Sequence, residues 1–359
     1  MPLDERGEFG LIARILERLG EAAALDIAVP PGDDAAAWAA EPGLQIATVD
    51  AQVEGTHWRR DTMSLADVGW RAVATAVSDL AAMGARASYV LIAAELGPGL
   101  SAEDLDAFAD GAAASCRCHG VRVAGGNVAA AHATSFTTTA FGSAAADAVL
   151  LRDAACAGDL VAVSGTPGAA AAGLALIEAA LIEAALIEAA QRHHSSEAAP
   201  LIEAHRRPRA RLALGQTALA AGVRCAIDLS DGLLQDLGHI ARASHVGIEI
   251  EAAALPLHPA AAWLLGRERA LALALGGGED YELALTAPAA TLDALAGSRA
   301  LEPPESLEPP ESPEPPGPAL TRIGRVVAEH RGEVVARDAA GQLVQPQVAG
   351  WDQLQSMIR

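Results

Sequence analysis

The sequence contains no lysine, so all 25 of its basic residues are arginines. A P-loop, a protein-kinase site and a Schiff-base enzyme each depend on a lysine side chain, and these three classes are therefore excluded. The basic residues are outnumbered by 46 acidic ones, which gives a net charge of −21. Because nucleic acids and anionic membranes bind basic patches, we expect neither as a partner.

Cysteines are few and long apolar runs are missing. The four cysteines contain one C-x-C pair and no C-x-x-C pair, a spacing that fits neither a zinc ribbon nor a disulfide framework. No uninterrupted apolar run reaches the length of a membrane span, and the first residues lack a basic-then-apolar signal pattern. We therefore expect a soluble, cytoplasmic protein.

What the sequence does contain is typical of a two-domain enzyme. It has 359 residues, of which 51% are hydrophobic and 20% charged. Apolar periodicity predicts helices over residues 8–19, 65–83, 102–118, 233–240 and 260–275, and strands over 44–49, 89–95, 121–124, 225–229 and 246–251. This alternation favours an α/β or α+β architecture, with a first domain over residues 1–150 and a second over 151–359.

Two low-complexity segments interrupt the second domain. The string L-I-E-A-A occurs three times over residues 176–190, and L-E-P-P-E-S occurs twice, at Leu301 and Leu307. We interpret them as a lengthened surface helix and an extended acidic loop, that is, insertions near 176–200 and 301–318 without catalytic residues.

The string A-I-D-L-S-D-G-L-L-Q-D-L-G-H-I, residues 226–240, places Asp228, Ser230 and Asp231 at a strand-to-helix junction. Carboxylates three residues apart repel each other unless a cation lies between them, and Mg²⁺ is the usual choice. An ordinary aspartate N-cap is the alternative interpretation of the same spacing.

Other acidic residues also fall where predicted elements meet or inside apolar segments. A buried aspartate is costly unless it is paired or metal-bound, whereas an aspartate at a turn is often only solvated. If several of these carboxylates converged on Mg²⁺ and phosphate groups, they would form a consistent site. These residues are Asp33 with Asp34, Asp50, Asp79, and Glu279 with Asp280.

Seven ordered strings resemble the thiamine-monophosphate kinase family: G-E-F-G-L-I, G-D-D-A-A, T-V-D-A-Q-V-E-G-T-H-W, D-V-G-W-R-A-V-A-T-A-V-S-D-L-A-A-M-G-A, A-G-G-N, I-D-L-S-D-G-L-L-Q-D-L-G-H-I and G-G-E-D-Y-E-L. The resemblance covers nearly the whole chain outside the two insertions. It implies a two-lobed fold of the aminoimidazole-ribonucleotide-synthetase type, with mixed sheets flanked by helices. It also implies a homodimer with the nucleotide near the dimer interface.

The resemblance further implies a reaction and a set of site residues. The reaction would be ATP-dependent phosphorylation of thiamine monophosphate to thiamine diphosphate, by direct in-line transfer with several Mg²⁺ ions and without a covalent nucleophile. By the same resemblance, Mg²⁺ would be held by Asp34, Thr48, Val49, Asp50, Asp79, Asn127, Asp228 and Asp231. ATP would contact Gly126, Asn127, Arg152 and Ser230, and the thiamine substrate would face His57, Glu279 and Trp351.

The chain departs from the family pattern at three places. Asn127 stands where many members have aspartate, Val49 replaces a common threonine and offers only its backbone carbonyl, and Ala169 with Ala170 replaces Asp-Ser. Two alternatives therefore stay open. One is a sibling ATP-dependent phosphotransferase with another substrate, which would not need His57 or Trp351. The other is a metal- and nucleotide-binding protein with weakened catalysis.

Overall fold

The chain forms two compact units in a computed structural model, which describes residues 7–146, 148–186, 195–296, 320–344 and 350. The first unit comprises Met1–Leu80, Ala85–Asp147 and Arg206–Ala210, and the second comprises Ala81–Gly84, Ala148–His205 and Arg211–Arg359. Ala81–Gly84 thus belongs to the second unit although its chain neighbours belong to the first, and Arg206–Ala210 belongs to the first unit although its chain neighbours belong to the second. A single cut after residue 150 does not anticipate these exchanges.

The first unit is a four-stranded sheet with helices on one face. Strand order is β1-β4-β2-β3, in which β2 and β3 are parallel and the other pairs antiparallel. Phe108 of α3 stacks on Phe136 of β4 at 3.8 Å between ring centroids, so α3 lies on the buried face. The elements are α1 (Gly7–Leu19), β1 (Leu44–Val53), α2 (Leu65–Ala82), β2 (Arg86–Leu96), α3 (Ala102–His119), β3 (Arg122–Ala130) and β4 (Ser135–Ala144).

The second unit is a six-stranded mixed sheet covered on both faces. Strand order is β10-β7-β9-β5-β8-β6, and only β10 and β7 are parallel. One apolar core contains Leu237 and Ile240 of α7, and another contains Leu214 of α6 and Leu292 of α10. The elements are β5 (Leu160–Ser164), α4 (Ala169–Leu186), α5 (Ser195–Arg206), α6 (Leu212–Ala220), β6 (Cys225–Asp228), α7 (Leu233–Ala243), β7 (Gly247–Glu251), α8 (Pro259–Leu264), α9 (Arg267–Gly276), β8 (Leu283–Ala287), α10 (Ala289–Ala296), β9 (Leu320–Val327) and β10 (Val334–Arg337).

The predicted fold class, mixed sheets flanked by helices, is confirmed, but three local predictions were wrong. Strand β1 continues to Val53, so Asp50 lies within the strand rather than at its end. Strand β3, predicted to end at residue 124, runs through the Gly-Gly-Asn string to Ala130. The helix predicted over 260–275 is two helices, because the chain turns at Gly266, where φ is +84°.

The low-complexity segments lie largely outside the described residues. The helix α4 contains the first repeats, ending at Leu186, and α5 begins at Ser195, whereas residues 301–318 are not described. Within the described part of the chain, no helix is both long and apolar enough to cross a membrane.

Candidate active site

In the first unit, three of the predicted site residues come together between the sheet and α2. Thr48 and Asp50 are two residues apart on β1 and therefore share one face of the sheet. The Thr48 hydroxyl donates a hydrogen bond to the carboxylate of Asp79 on α2. Gln52, next on the same face, is only 2% exposed, which identifies this face as the one covered by helices. Oxygen ligands suited to a hard cation are thus assembled here.

The side chains of two other residues predicted to contact metal, Val49 and Asn127, point to the opposite face of the same sheet, although the predicted ligand of Val49 is its backbone carbonyl. Val49 is 63% exposed and alternates with Asp50 along β1. Asn127 is in register with Ala93, which pairs with Thr137 and, across β4, with Ala51. The side chains of Val49 and Asn127 therefore lie across the sheet from Asp50. Asp34 is exposed in the loop before β1, and its backbone N–H donates to Asp33 Oδ1 at 2.8 Å.

Gly126 is explained by the sheet itself. A Cβ at this position would overlap the backbone carbonyl of Ile92 on the neighbouring strand. The strand pairing thus requires a glycine, whether or not a phosphate approaches the same backbone.

His57 lies in the loop after β1 and has one unsatisfied nitrogen. Its Nδ1 accepts a hydrogen bond from the Val53 backbone N–H at 3.1 Å, so the neutral ring carries its proton on Nε2. That Nε2 is buried and has no hydrogen-bond partner among the described residues. Burial lowers the pKa of His57, the nearby Asp50 carboxylate partly opposes this, and Arg71 adds to the lowering. The ring is therefore a neutral donor near pH 7.

In the second unit, the junction between β6 and α7 places Asp228, Ser230 and Asp231 within four residues of one another. Asp228 is buried at the end of β6, whereas Ser230 and Asp231 are half-buried. Helix α7 begins at Leu233 and its N-cap is Gly232, so neither aspartate is the N-cap. The N-cap interpretation is thereby wrong for both.

Sequence reasoning missed two residues of this cluster, Asp236 and His239. Together with Asp231 they offer three ligand atoms that all lie within 4.8 Å of one another. Asp236 Oδ2 accepts hydrogen bonds from the backbone N–H groups of Asp231 at 3.1 Å and Gly232 at 3.0 Å. The spacing of three residues, which places Asp236 and His239 on the same side of α7, is the signal that could have identified them.

The electrostatics of this cluster favour a cation. Burial, and then the charges of Asp228 and Asp231, raise the pKa of Asp236 to about 8. Burial and the charges of these neighbours both favour the protonated form of Asp236, whereas a bound cation would favour its charged form. Gln235 Nε2 donates to Asp231 Oδ2 at 3.1 Å, but this amide is neutral.

Arg152 lies beside the same cluster. The side chain is exposed, and the pKa of His239 is lowered by burial and by the charges of Arg242 and Arg152. The backbone carbonyl of Arg152 accepts a hydrogen bond from Ser244 Oγ at 3.0 Å, which fixes the chain just before β5. The exposed guanidinium adds a permanent positive charge that can attract an anionic ligand near α7.

The loop between α9 and β8 approaches this junction from the other side. The Glu279 backbone N–H donates to the Ser230 carbonyl at 2.8 Å. The Asp280 carboxylate accepts hydrogen bonds from the backbone N–H groups of Gly168 at 2.7 Å and Ala170 at 3.1 Å, and burial raises the pKa of Asp280 to about 7. The Ala169-Ala170 turn thus makes its polar contacts through the backbone. Trp351 lies outside the described residues.

Comparison with known proteins places this geometry in a family. Residues 32–144 match the family "AIR synthase related protein, N-terminal domain". The thiamine-monophosphate kinase of Escherichia coli is 37% identical over 283 residues, which are 79% of this chain and 83% of that protein.

Solved structures show the same relationship over almost the whole chain. The thiamine-monophosphate kinase of Stenotrophomonas maltophilia matches with a TM-score of 0.77 and 35% identity, covering 94% of this chain and 98% of that one. AaThiL complexed with AMPPCP and TMP matches with a TM-score of 0.69 and 30% identity, covering 98% of both chains. The ordered sequence strings, the two mixed sheets and these similarities show that the chain belongs to the thiamine-monophosphate kinase family.

Proposed function

We propose that this protein transfers the γ-phosphoryl group of ATP to thiamine monophosphate and forms thiamine diphosphate. The observation that carries the proposal is the cluster at the start of α7, where Asp231, Asp236 and His239 offer three ligand atoms within 4.8 Å of one another, as a site for cations of the kind that accompany ATP would. The similarity to AaThiL complexed with AMPPCP and TMP supports both ligands, because AMPPCP is an analogue of ATP.

The transfer needs no protein nucleophile. A phosphate oxygen of the acceptor attacks the γ-phosphorus in line, the bond from that phosphorus to the β,γ-bridging oxygen breaks, and ADP leaves. The acceptor oxygen is already ionised near pH 7, so no general base is required. The protein positions the two polyphosphates and neutralises their charge.

The side chains present fit Mg²⁺, since carboxylate and hydroxyl oxygens dominate both groups of site residues. We assign Thr48, Asp50 and Asp79 in the first unit, and Asp228 and Asp231 in the second, as the residues that would hold it. Asp34, Asn127 and the Val49 carbonyl are further proposed contacts. Bound Mg²⁺ would supply charge neutralisation of the phosphates. In a chain without lysine, Arg152 of the second unit supplies positive charge from a side chain. Ser230 of the same unit and Gly126 of the first unit are further proposed contacts of ATP.

His57, Glu279 and Trp351 are the proposed contacts of the thiamine substrate. His57 offers a neutral N–H donor that has no partner in the part of the chain that the structure describes, and a buried donor of this kind is costly until an acceptor satisfies it. An acceptor atom on the substrate would remove that cost.

We also propose a homodimer formed through the open face of the first sheet. On this face Val49 of β1 aligns with Thr139 and Leu91, and Val49 is 63% exposed. Next to them, Trp38 of the same chain packs on the rings of Tyr89 and Phe141 and extends the apolar surface. A second copy of the chain would cover these side chains. A cytoplasmic location, where ATP is available, belongs to the same proposal.

The test is an assay of purified protein with ATP, Mg²⁺ and thiamine monophosphate, in which thiamine diphosphate is measured. We expect product with thiamine monophosphate and none with unphosphorylated thiamine. Asp228→Asn should remove turnover, whereas Asp293→Asn, at an exposed carboxylate of α10, should not. Turnover of a different phosphate acceptor alone would favour a sibling phosphotransferase, and ATP binding without turnover would favour a binding protein.

A further inference from the structure

The loop between α9 and β8 has an unusual backbone on both sides of Asp280. Glu279 has a φ of +72° and Tyr281 a φ of +52°. In the described part of the chain only two other non-glycine residues, His245 and His330, have positive φ. This conformation is unfavourable for a long or bulky side chain and persists only where the surroundings impose it.

Backbone hydrogen bonds to the β6–α7 junction hold the loop in this positive-φ conformation. The Glu279 N–H donates to the Ser230 carbonyl and the Tyr281 N–H to the Leu229 carbonyl, each at 2.8 Å. The loop is therefore held against the same junction that carries Asp228 and Asp231.

The Asp280 side chain also holds the loop in this conformation, through hydrogen bonds to a different segment. Its two oxygens accept separate hydrogen bonds, Oδ2 from the Gly168 N–H and Oδ1 from the Ala170 N–H. Gly168 immediately precedes α4 and Ala170 lies in its first turn, where the helix leaves N–H groups without internal partners and favours a negative charge. One carboxylate thus ties together segments that are more than 100 residues apart.

Glu279 is left with a defined orientation. Because Asp280 is directed to α4, the backbone on its N-terminal side is fixed as well, and the Tyr281 hydroxyl donates to Glu279 Oε1 at 3.3 Å. Tyr281 is itself only 5% exposed, so this donor is immobilised by packing.

We propose that Asp280 is a positioning residue that fixes Glu279 for the thiamine substrate by holding the first turn of α4. The inference rests on the proposed function, in which Glu279 contacts that substrate. It assigns to Asp280 no contact with substrate, nucleotide or metal. Its carboxylate also fills the helix N-terminus, which is thereby closed to a phosphate group.

Asp280→Asn is the direct test, because an amide has the same shape but a single acceptor oxygen for the two N–H groups. We expect the KM for thiamine monophosphate to rise about tenfold, with kcat and the half-maximal Mg²⁺ concentration changed less than about threefold. Asp293→Asn, the same chemical change on an exposed helix, should alter neither constant.

A double-mutant cycle separates positioning from general structural support. If Asp280 acts through Glu279, then Glu279→Gln raises the same KM and the double variant is no worse than Glu279→Gln alone. Effects that multiply would overturn the inference, as would an equal loss of kcat in Asp280→Asn.

Two further measurements keep the result decisive. Ala170→Pro removes one of the two N–H donors in a helical turn that tolerates proline, and it should raise the same KM even if Asp280→Asn does not fold. Calorimetric Kd values for thiamine monophosphate should follow the KM values. If the wild-type protein neither binds nor phosphorylates thiamine monophosphate, the proposed function fails and this inference with it. Normal wild-type turnover with an unchanged KM in both variants rejects the inference alone.

Discussion

Asp50 is a side chain that the proposed function assigns to chemistry rather than to folding. Its backbone is paired within β1, and its Oδ1 accepts a hydrogen bond from the N–H of the next residue, Ala51, at 2.8 Å. We therefore expect Asp50→Asn to lower kcat by at least about 100-fold while the melting temperature moves by no more than about 2 °C. Steady-state kinetics at saturating Mg²⁺ and thermal unfolding measure both. Asp61→Asn, at an exposed ion pair with Arg59, is the control. Near-normal turnover would remove Asp50 from the metal site.

Replacing Asp236 is predicted to stabilise the folded protein, because the charge of this residue destabilises the metal-free protein. The backbone N–H groups of Asp231 and Gly232 both donate to the same oxygen of Asp236, Oδ2. An asparagine can therefore keep both hydrogen bonds while losing the charge. The folded state holds a proton on Asp236 up to about pH 8, whereas the unfolded carboxyl loses it near its ordinary value. The penalty on the wild type therefore grows from about pH 4 to about pH 8 and is constant above that range.

Asp236→Asn should accordingly raise the melting temperature in EDTA, more at pH 8 than at pH 5. Added Mg²⁺ should stabilise the wild type more than the variant, since the cation offsets the charge that the variant lacks. A melting-temperature difference that is the same at pH 5 and pH 8 would show that Asp236 is not held protonated by its neighbours.

The residue scale also shows what sequence alone could and could not provide. The spacing of Asp228 and Asp231 predicted an acidic junction, and the structure places them beside each other. It did not predict that Asp50 and Asn127 lie on opposite faces of one sheet, because the register of β3 with β2 depends on an irregularity between Val90 and Leu91. Asp236 was missed because its spacing from His239 indicates a cluster only once Asp231 is known to lie close to both.

At the scale of elements, α3 shows a boundary that is encoded locally. Ser101 and Asp104 form a capping box, with the Asp104 N–H donating to Ser101 Oγ at 3.1 Å and the Ser101 N–H donating to Asp104 Oδ2 at 2.8 Å. Gly120 ends the helix at a φ of +66°. Such signals explain why helix 102–118 was predicted nearly to the residue.

Ser101→Ala should therefore lower the melting temperature by about 2–4 °C, corresponding to about 1 kcal/mol for a lost N-cap, without changing the KM for either substrate. Thr217→Ala is the matched control. Thr217 Oγ1 donates back to the Ala213 carbonyl inside α6, a bond that does not favour a helix, so its loss should leave stability unchanged or slightly raised. A Ser101→Ala variant as stable as the wild type would show that α3 is held by packing alone.

Sequence patterns predict helices and strands wrongly where tertiary contacts override the local apolar periodicity. The apolar run 260–275 reads as one helix, but the structure breaks it at Leu265 and Gly266 so that α8 and α9 both pack on one apolar core. The apolar pattern of β3 stops before Gly125, but Gly125 and Gly126 continue the strand beside β2. In both cases, glycine permitted a conformation that only the neighbouring elements selected.

At the scale of the whole molecule, the sequence implies a homodimer only through its resemblance to a family. The open face of the first sheet gives it a physical basis: Leu91 lies near its centre, beside Thr139 on β4 and Gly125 on β3. A carboxylate placed there in each of two facing copies would bury like charges in a protein that already carries a net charge of −21. We therefore expect the wild type to sediment as a dimer and Leu91→Glu as a monomer, in sedimentation velocity runs over a range of protein concentrations. Leu343→Glu, at an apolar side chain that is 56% exposed on the second unit, adds the same charge away from this face and should remain dimeric. A wild type that is monomeric at every concentration, or a Leu91→Glu variant that stays dimeric, would contradict assembly through this sheet.

If the dimer is also needed to complete the nucleotide site, Leu91→Glu should lose ATP affinity in proportion to the monomer fraction, and raising the protein concentration should restore it.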